Sequence, residues 1–192
     1  MDRAYDIEDL KRLMQRLRDP ALGCPWDLKQ TYQSIAPFTL EECLELIDAL
    51  EQSDYEQVEE ELGDLLFQVI FYAQLGKEEG RFDFDSVVSG ITAKLLRRHP
   101  HVFKDGQLEG IIEDRISMAA IKANWEKTKA EERADRSQTS VMDDVPATLG
   151  ALSRAQKLQK RAATVGFDFS SASGVSARLL DEYRELEQAM AS

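Results

Sequence analysis

The sequence predicts an all-α fold, and three observations carry that prediction. Apolar residues recur at three- and four-residue spacing in one segment after another. No segment alternates apolar and polar residues over several positions between turn signals. The 192 residues are 43% hydrophobic and 31% charged, with only 10 glycines and 5 prolines, a composition that fits a folded helical protein and not a disordered one.

Ile7, Leu10, Leu13, Met14 and Leu17 mark the first helix, which Asp19-Pro20 ends. Residues 20–38 hold Pro20, Pro25 and Pro37 together with Trp26 and read as an ordered loop. Thr39, with Glu42 three residues on, has the pattern of a capping box for a helix over 40–52, whose apolar stripe is Leu40, Cys43, Leu44, Ile47 and Leu50. A short turn around Gln52–Asp54 leads to a helix over 55–79, and a third runs from Phe84 to Arg98, stopped by Pro100. Further helices are expected over 113–136, 146–164 and 174–190, with the polar stretch Ser137–Asp144 between the first two.

Charge narrows the function. Lys and Arg total 24 and Asp and Glu 36, a net charge of −12. Such a chain is ill suited to nucleic acid or to an anionic membrane surface. The most apolar run, Leu65 to Leu75, is too short to span a bilayer. The N-terminus lacks a signal-peptide pattern. Cys24 and Cys43 form no zinc pattern. A cytoplasmic protein with two free thiols is expected.

The acidic residues are arranged with a chemistry of their own. On the helix over 55–79, Leu62, Leu65, Leu66, Phe67, Val69, Ile70, Phe71 and Ala73 cover nearly the whole circumference, so burial all round is expected. Glu61, Asp64 and Gln68 nevertheless share a stripe of roughly 60°. A carboxylate in such a place needs a cation, an Arg or Lys, or water at a cleft. The preceding helix carries Glu41, Glu42 and Glu45 opposite its apolar stripe. A short connection makes the two helices antiparallel neighbours, so two pairs of acids three residues apart can converge. An all-oxygen site of this kind suits Mg²⁺ or Mn²⁺. A solvated helix face and a buried salt bridge are the plainer accounts of the two sets. Gly63, between the second pair, leaves room beside them.

Lys94 and Arg98 lie four residues apart with Arg97 beside them, and can neutralise a polyphosphate or pair with surface acids. Trp125 and Lys129 are also four apart, a spacing suited to a base and a phosphate, or to packing alone. Trp26 reads as a loop anchor, and His99 and His101 as residues capping a helix end. There is also an internal echo: Gly23-Cys24-Pro25-Trp26-Asp27 before Glu41-Glu42-x-x-Glu45 is repeated as Gly166-Phe167-Asp168 before Asp181-Glu182-x-x-Glu185.

Gly23-Cys24-Pro25-Trp26-Asp27, Ser34-Ile35-Ala36-Pro37, Glu41-Glu42-x-x-Glu45, Glu61-x-x-Asp64-Leu65-Leu66 and Lys94-x-x-Arg97-Arg98-His99-Pro100-His101-Val102-Phe103 occur in that order. Together they resemble the MazG family of nucleoside triphosphate pyrophosphohydrolases. The resemblance implies an all-α four-helix bundle that forms a homodimer, here with additional C-terminal helices. It implies Mg²⁺-dependent hydrolysis of nucleoside triphosphates to monophosphate and pyrophosphate, a house-cleaning of the nucleotide pool. By position, Glu42, Glu45, Glu61 and Asp64 match the metal-binding carboxylates, with Glu41 assisting. Lys94 and Arg98, beside Arg97, match the phosphate-binding pair, and Trp125 and Lys129 match nucleotide contacts. The expected organisation is a catalytic module over 1–136, a polar linker over 137–145, and over 146–192 the start of a second module, incomplete because no second Glu-x-x-Asp follows. The alternative is a catalytically silent dimerisation or regulatory module that binds nucleotide or a protein partner.

Overall fold

A computed structural model describes the backbone of residues 4–110, 117–135, 140–143 and 145–191, and the side chains of all of these except 126, 127, 129–131 and 133–135. The described residues are helical and contain no strand. They divide into two compact units, Met1–Arg115 and Ile116–Ser192.

The first unit contains α1 (Ile7–Leu17), α2 (Pro25–Lys29), α3 (Tyr32–Gln52), α4 (Tyr55–Glu78) and α5 (Phe84–Arg98). Three N-termini are closed by reciprocal caps, Asp6 with Asp9, Thr31 with Ser34, and Asp83 with Ser86, each satisfying two backbone donors that a helix start leaves over. Helix α4 packs against α3, α1 and α5, giving a four-helix unit. Its core is Met14 of α1, Ile35 of α3, and Ile70, Phe71 and Leu75 of α4, with Leu10, Tyr32, Phe67, Tyr72 and Phe84 around them.

Two expectations change here. Helix α3 starts at Tyr32, not Leu40, because Thr31 and Ser34 form the capping box. Pro37 sits inside the helix, where it costs one backbone hydrogen bond; the carbonyl it leaves over belongs to exposed Gln33, open to water. Thr39 is therefore a mid-helix residue, with its hydroxyl on the Ile35 carbonyl at 3.2 Å. The region read as a loop over 20–38 also holds α2. The second change concerns α4, which is not buried all round. Its neighbours cover one side, and Leu62, Leu66 and Val69 stay exposed.

Between α1 and α3 the chain is tightly fixed. Arg18 is 8% exposed. Its guanidinium donates to Glu78 of α4 at 2.7 and 2.9 Å and to the carbonyls of Asp27 and Gln30, which close α2. A Cβ at Gly23 would stand 2.4 Å from the Leu17 carbonyl oxygen, so this position needs glycine.

The second unit contains α6 (Met118–Asp135), α7 (Ala151–Ala163) and α8 (Ala172–Ala191). Helix α6 was expected from residue 113, but 111–116 lie outside the described residues, as do 136–139 and 144 of the polar stretch. Helix α7 begins at Ala151 and not near Pro146, because residues 146–150 form a turn with Gly150 as N-cap. Gly166, at φ +81°, occupies the left-handed region just past α7.

Candidate functional site

The pairing of α3 with α4 builds the site. Ser53 takes the left-handed conformation at φ 58° and ends α3, and the Asp54 side chain caps α4 at once. The two helices then run antiparallel from that turn. Farther along, the Thr39 hydroxyl lies 3.4 Å from Gln68 Oε1 and 3.0 Å from the Tyr72 hydroxyl. Between the turn and this polar trio, Glu42 and Glu45 of α3 meet Glu61 of α4: one carboxylate oxygen from each lies within 4.8 Å of the others.

Glu61 is 7% exposed, Glu42 half-buried and Glu45 exposed. The Gln57 side chain donates to Glu61 at 3.4 Å. Asp64 stands outside the convergence and is exposed; the expectation that both acids of α4 would be enclosed holds for Glu61 alone. Asp64 is nonetheless felt at the cluster. Burial, followed by the charges of Asp64, Glu45, Glu61 and Glu41, pushes the Glu42 carboxyl above its ordinary value. Glu41 is exposed one position before Glu42. Three converging carboxylates that repel one another, with oxygen the only donor type, make a set that fits a hard divalent cation.

Helix α5 carries Lys94 and Arg98 on one face, both half-buried, with Arg97 exposed. The His99 ring meets the Leu95 carbonyl at 2.7 Å, closing the end of α5 as expected. Cys24 and Cys43 are free thiols. Trp125 belongs to the second unit and is 41% exposed; the Lys129 side chain lies outside the described residues.

Gln57, Thr39 and Tyr72 join the site without having been singled out in that role. Gln57 lies one turn before Glu61, a spacing that is legible in hindsight. The Thr39–Tyr72 contact depends on the α3–α4 register, which no local spacing reveals.

The site's motifs lie in a segment with clear relatives. Residues 30–103 match the MazG nucleotide pyrophosphohydrolase domain. A nucleoside triphosphate pyrophosphohydrolase of Escherichia coli (strain K12) is 51% identical over 180 residues, 94% of this chain and 66% of the relative. A nucleoside triphosphate pyrophosphohydrolase/pyrophosphatase MazG of Thermotoga maritima is 38% identical over 183 residues, 95% of this chain and 67% of the relative. This chain thus spans about two thirds of the length of these relatives. The crystal structure of a mazG-related protein from Thermotoga maritima superposes with a TM-score of 0.53 at 25% identity, covering 65% of this chain and 99% of that one. With an all-helical unit, an EExxE helix paired with an ExxD helix and these relatives, the chain belongs to the MazG family of nucleotide pyrophosphohydrolases.

Proposed function

We propose that this chain hydrolyses nucleoside triphosphates to nucleoside monophosphate and pyrophosphate with Mg²⁺, which Mn²⁺ can replace. The observation that carries this reading is the convergence of Glu42, Glu45 and Glu61 within 4.8 Å across two helices. These three residues and Asp64 would hold the cation, and Glu41 would orient them. Bound there, the cation would supply Lewis-acid polarisation of the phosphates and a hydroxide-like nucleophile near neutral pH. The carboxylates fix the cation side of the substrate. Lys94 and Arg98, with Arg97 beside them, would stabilise charge on the departing pyrophosphate, and Trp125 and Lys129 would contact the nucleotide. Residues 1–136 form the functional module on this reading, and 146–192 the start of a second copy.

The same reading makes the chain a cytoplasmic homodimer that binds neither nucleic acid nor membrane. Leu40, Leu44, Ile47 and Leu50 of α3, Leu62, Leu66 and Val69 of α4, and Val87, Val88, Ile91 and Leu95 of α5 are all exposed on one chain, and a second copy would give them a surface to pack on. Among the described residues no helix is long and apolar enough to cross a membrane.

Incubation with a panel of nucleoside triphosphates and Mg²⁺, with chromatographic identification of products, tests the activity. Monophosphate and pyrophosphate in equal amounts, lost in Asp64→Asn, are expected. Diphosphate and inorganic phosphate would contradict it. The exposed apolar rows also favour a second reading, a silent assembly module, which predicts nucleotide binding with no product.

A further inference from the structure

Helices α1 and α7 are counterparts in the sequence echo, and they differ in how their charges are met. Each cation of α1 and its cap has an acid. Lys11 pairs with Glu8 at 3.0 Å and with Asp85 at 2.7 Å, and Arg12 pairs with Asp9. Arg16 meets Asp19 at 4.0 Å, and Arg18 meets Glu78 at 2.7 Å. Two of those acids, Asp85 and Glu78, come from other helices, α5 and α4.

Helix α7 keeps the cations without the acids. It carries Arg154, Lys157, Lys160 and Arg161, and no Asp or Glu stands between Asp144 and Asp168. At about 100° per residue the four share a stripe of roughly 120°. Leu158 and Ala162 lie beside that stripe, and Ala162 is buried. The helix thus packs by its apolar side and turns the basic stripe outward. Arg161 is half-buried and donates to the Val141 carbonyl at 3.4 Å. Arg154, Lys157 and Lys160 are exposed and enter no ion pair among the described residues.

The first unit has the opposite imbalance. The net charge of −12 falls wholly within it. No Lys or Arg stands between Lys29 and Lys77. The turn end of the α3–α4 hairpin carries Asp48, Glu51, Asp54, Glu56, Glu59 and Glu60, all exposed. None of these six enters an ion pair among the described residues. They also lie outside the cluster of Glu42, Glu45 and Glu61, so the cation site does not account for them. Each chain therefore presents one basic stripe and one acidic turn, both without a partner of opposite sign.

We propose that the basic stripe of α7 docks on the acidic turn of the α3–α4 hairpin of a second copy. This inference rests on the homodimer reading above and adds to it a contact that uses none of the apolar rows. Opposite charges across an interface steer association and fix its register. A pair of copies related by a two-fold axis makes the contact twice, once in each direction.

The test is sedimentation equilibrium on two doubly substituted proteins, alone and mixed. One carries Lys157→Glu and Lys160→Glu, and the other Glu59→Lys and Glu60→Lys. All four positions are exposed, and circular dichroism checks that both proteins fold. Each variant alone sets like charges against each other in both contacts. Its self-association is expected to be weaker by roughly 10-fold. In a mixed pair every contact again joins opposite charges, so the equimolar mixture is expected to recover the affinity of the unaltered protein. Rising salt should weaken the unaltered pair and the mixed pair alike. Self-association that ignores both double substitutions, or a loss that mixing does not restore, would overturn the contact and leave the apolar pairing standing. An unaltered protein that does not self-associate would overturn the contact and the homodimer reading together.

Discussion

Glu42 bears the tension between stability and function most clearly. Its carboxyl is pushed up by burial and by four neighbouring acids, so folding without a cation disfavours its charged form. A raised folded value in an acid means that ionisation above that value costs stability. Glu42→Gln is therefore expected to raise the melting temperature of cation-free protein while reducing Mg²⁺-dependent hydrolysis. A lower melting temperature in calorimetry would count against the repulsion. Phe71, 1% exposed at the centre of the core, works in the opposite sense. Phe71→Ala should cost about 3–5 kcal/mol, read as a lower midpoint in urea unfolding. The candidate acids were legible because three-residue spacing places them on one face whatever the tertiary structure. The Arg18–Glu78 pair was not, since 60 positions separate its members, and no local pattern joins them.

All the α-helices among the described residues except the short α2 were legible in the sequence, and their ends less so. Phe84–Arg98 has the bounds its periodicity predicts, because Asp83 and Pro100 are strong punctuation. The start of α3 was displaced because Thr31 with Ser34 and Thr39 with Glu42 are both plausible caps, and Pro37 made the later one attractive. Packing decided: Ile35, inside the helix, is in the core. Two predictions belong at this scale. A Cβ at Gly63 meets nothing within 4 Å, so Gly63→Ala should stabilise α4 by about 1 kcal/mol, a rise in melting temperature of roughly 2–4 °C. A fall in differential scanning calorimetry would show that the open space is filled in the assembled protein. The second prediction concerns acid. Hydrogen bonds from the Ser86 backbone and side chain hold Asp83 below its ordinary value, and those from Leu22 and Ala21 do the same for Asp19. For Glu78, burial pushes upward, but Arg18 and Gln74 outweigh it and leave the carboxyl low. Groups with lowered folded values stabilise fully above their unfolded values, and the contribution is lost as pH falls through the folded ones. Stability should drop below about pH 4, and Asp83→Asn should flatten that drop in acid titrations followed by circular dichroism.

At the scale of the whole molecule, the all-α class followed from composition and periodicity, and the four-helix unit from the family resemblance. The all-round burial expected of α4 did not, because an apolar circumference does not say whether the same chain or another covers it. Leu62, Leu66 and Val69 are uncovered, as are the apolar rows of α3 and α5. The proposed homodimer would cover them. Sedimentation equilibrium should give twice the 21.8 kDa chain mass, and Ile47→Asp should shift it toward one chain while keeping the helical spectrum. A monomeric unaltered protein would rule out that cover. The central claim is that the cluster of Glu42, Glu45 and Glu61 serves hydrolysis of the α–β link. It is tested most directly by the rate of pyrophosphate release as a function of Mg²⁺ concentration, in the unaltered protein and in Glu61→Gln. A saturable dependence on Mg²⁺ that falls to background in a folded Glu61→Gln is predicted. Equal rates in the two proteins, or release that ignores Mg²⁺, would contradict it.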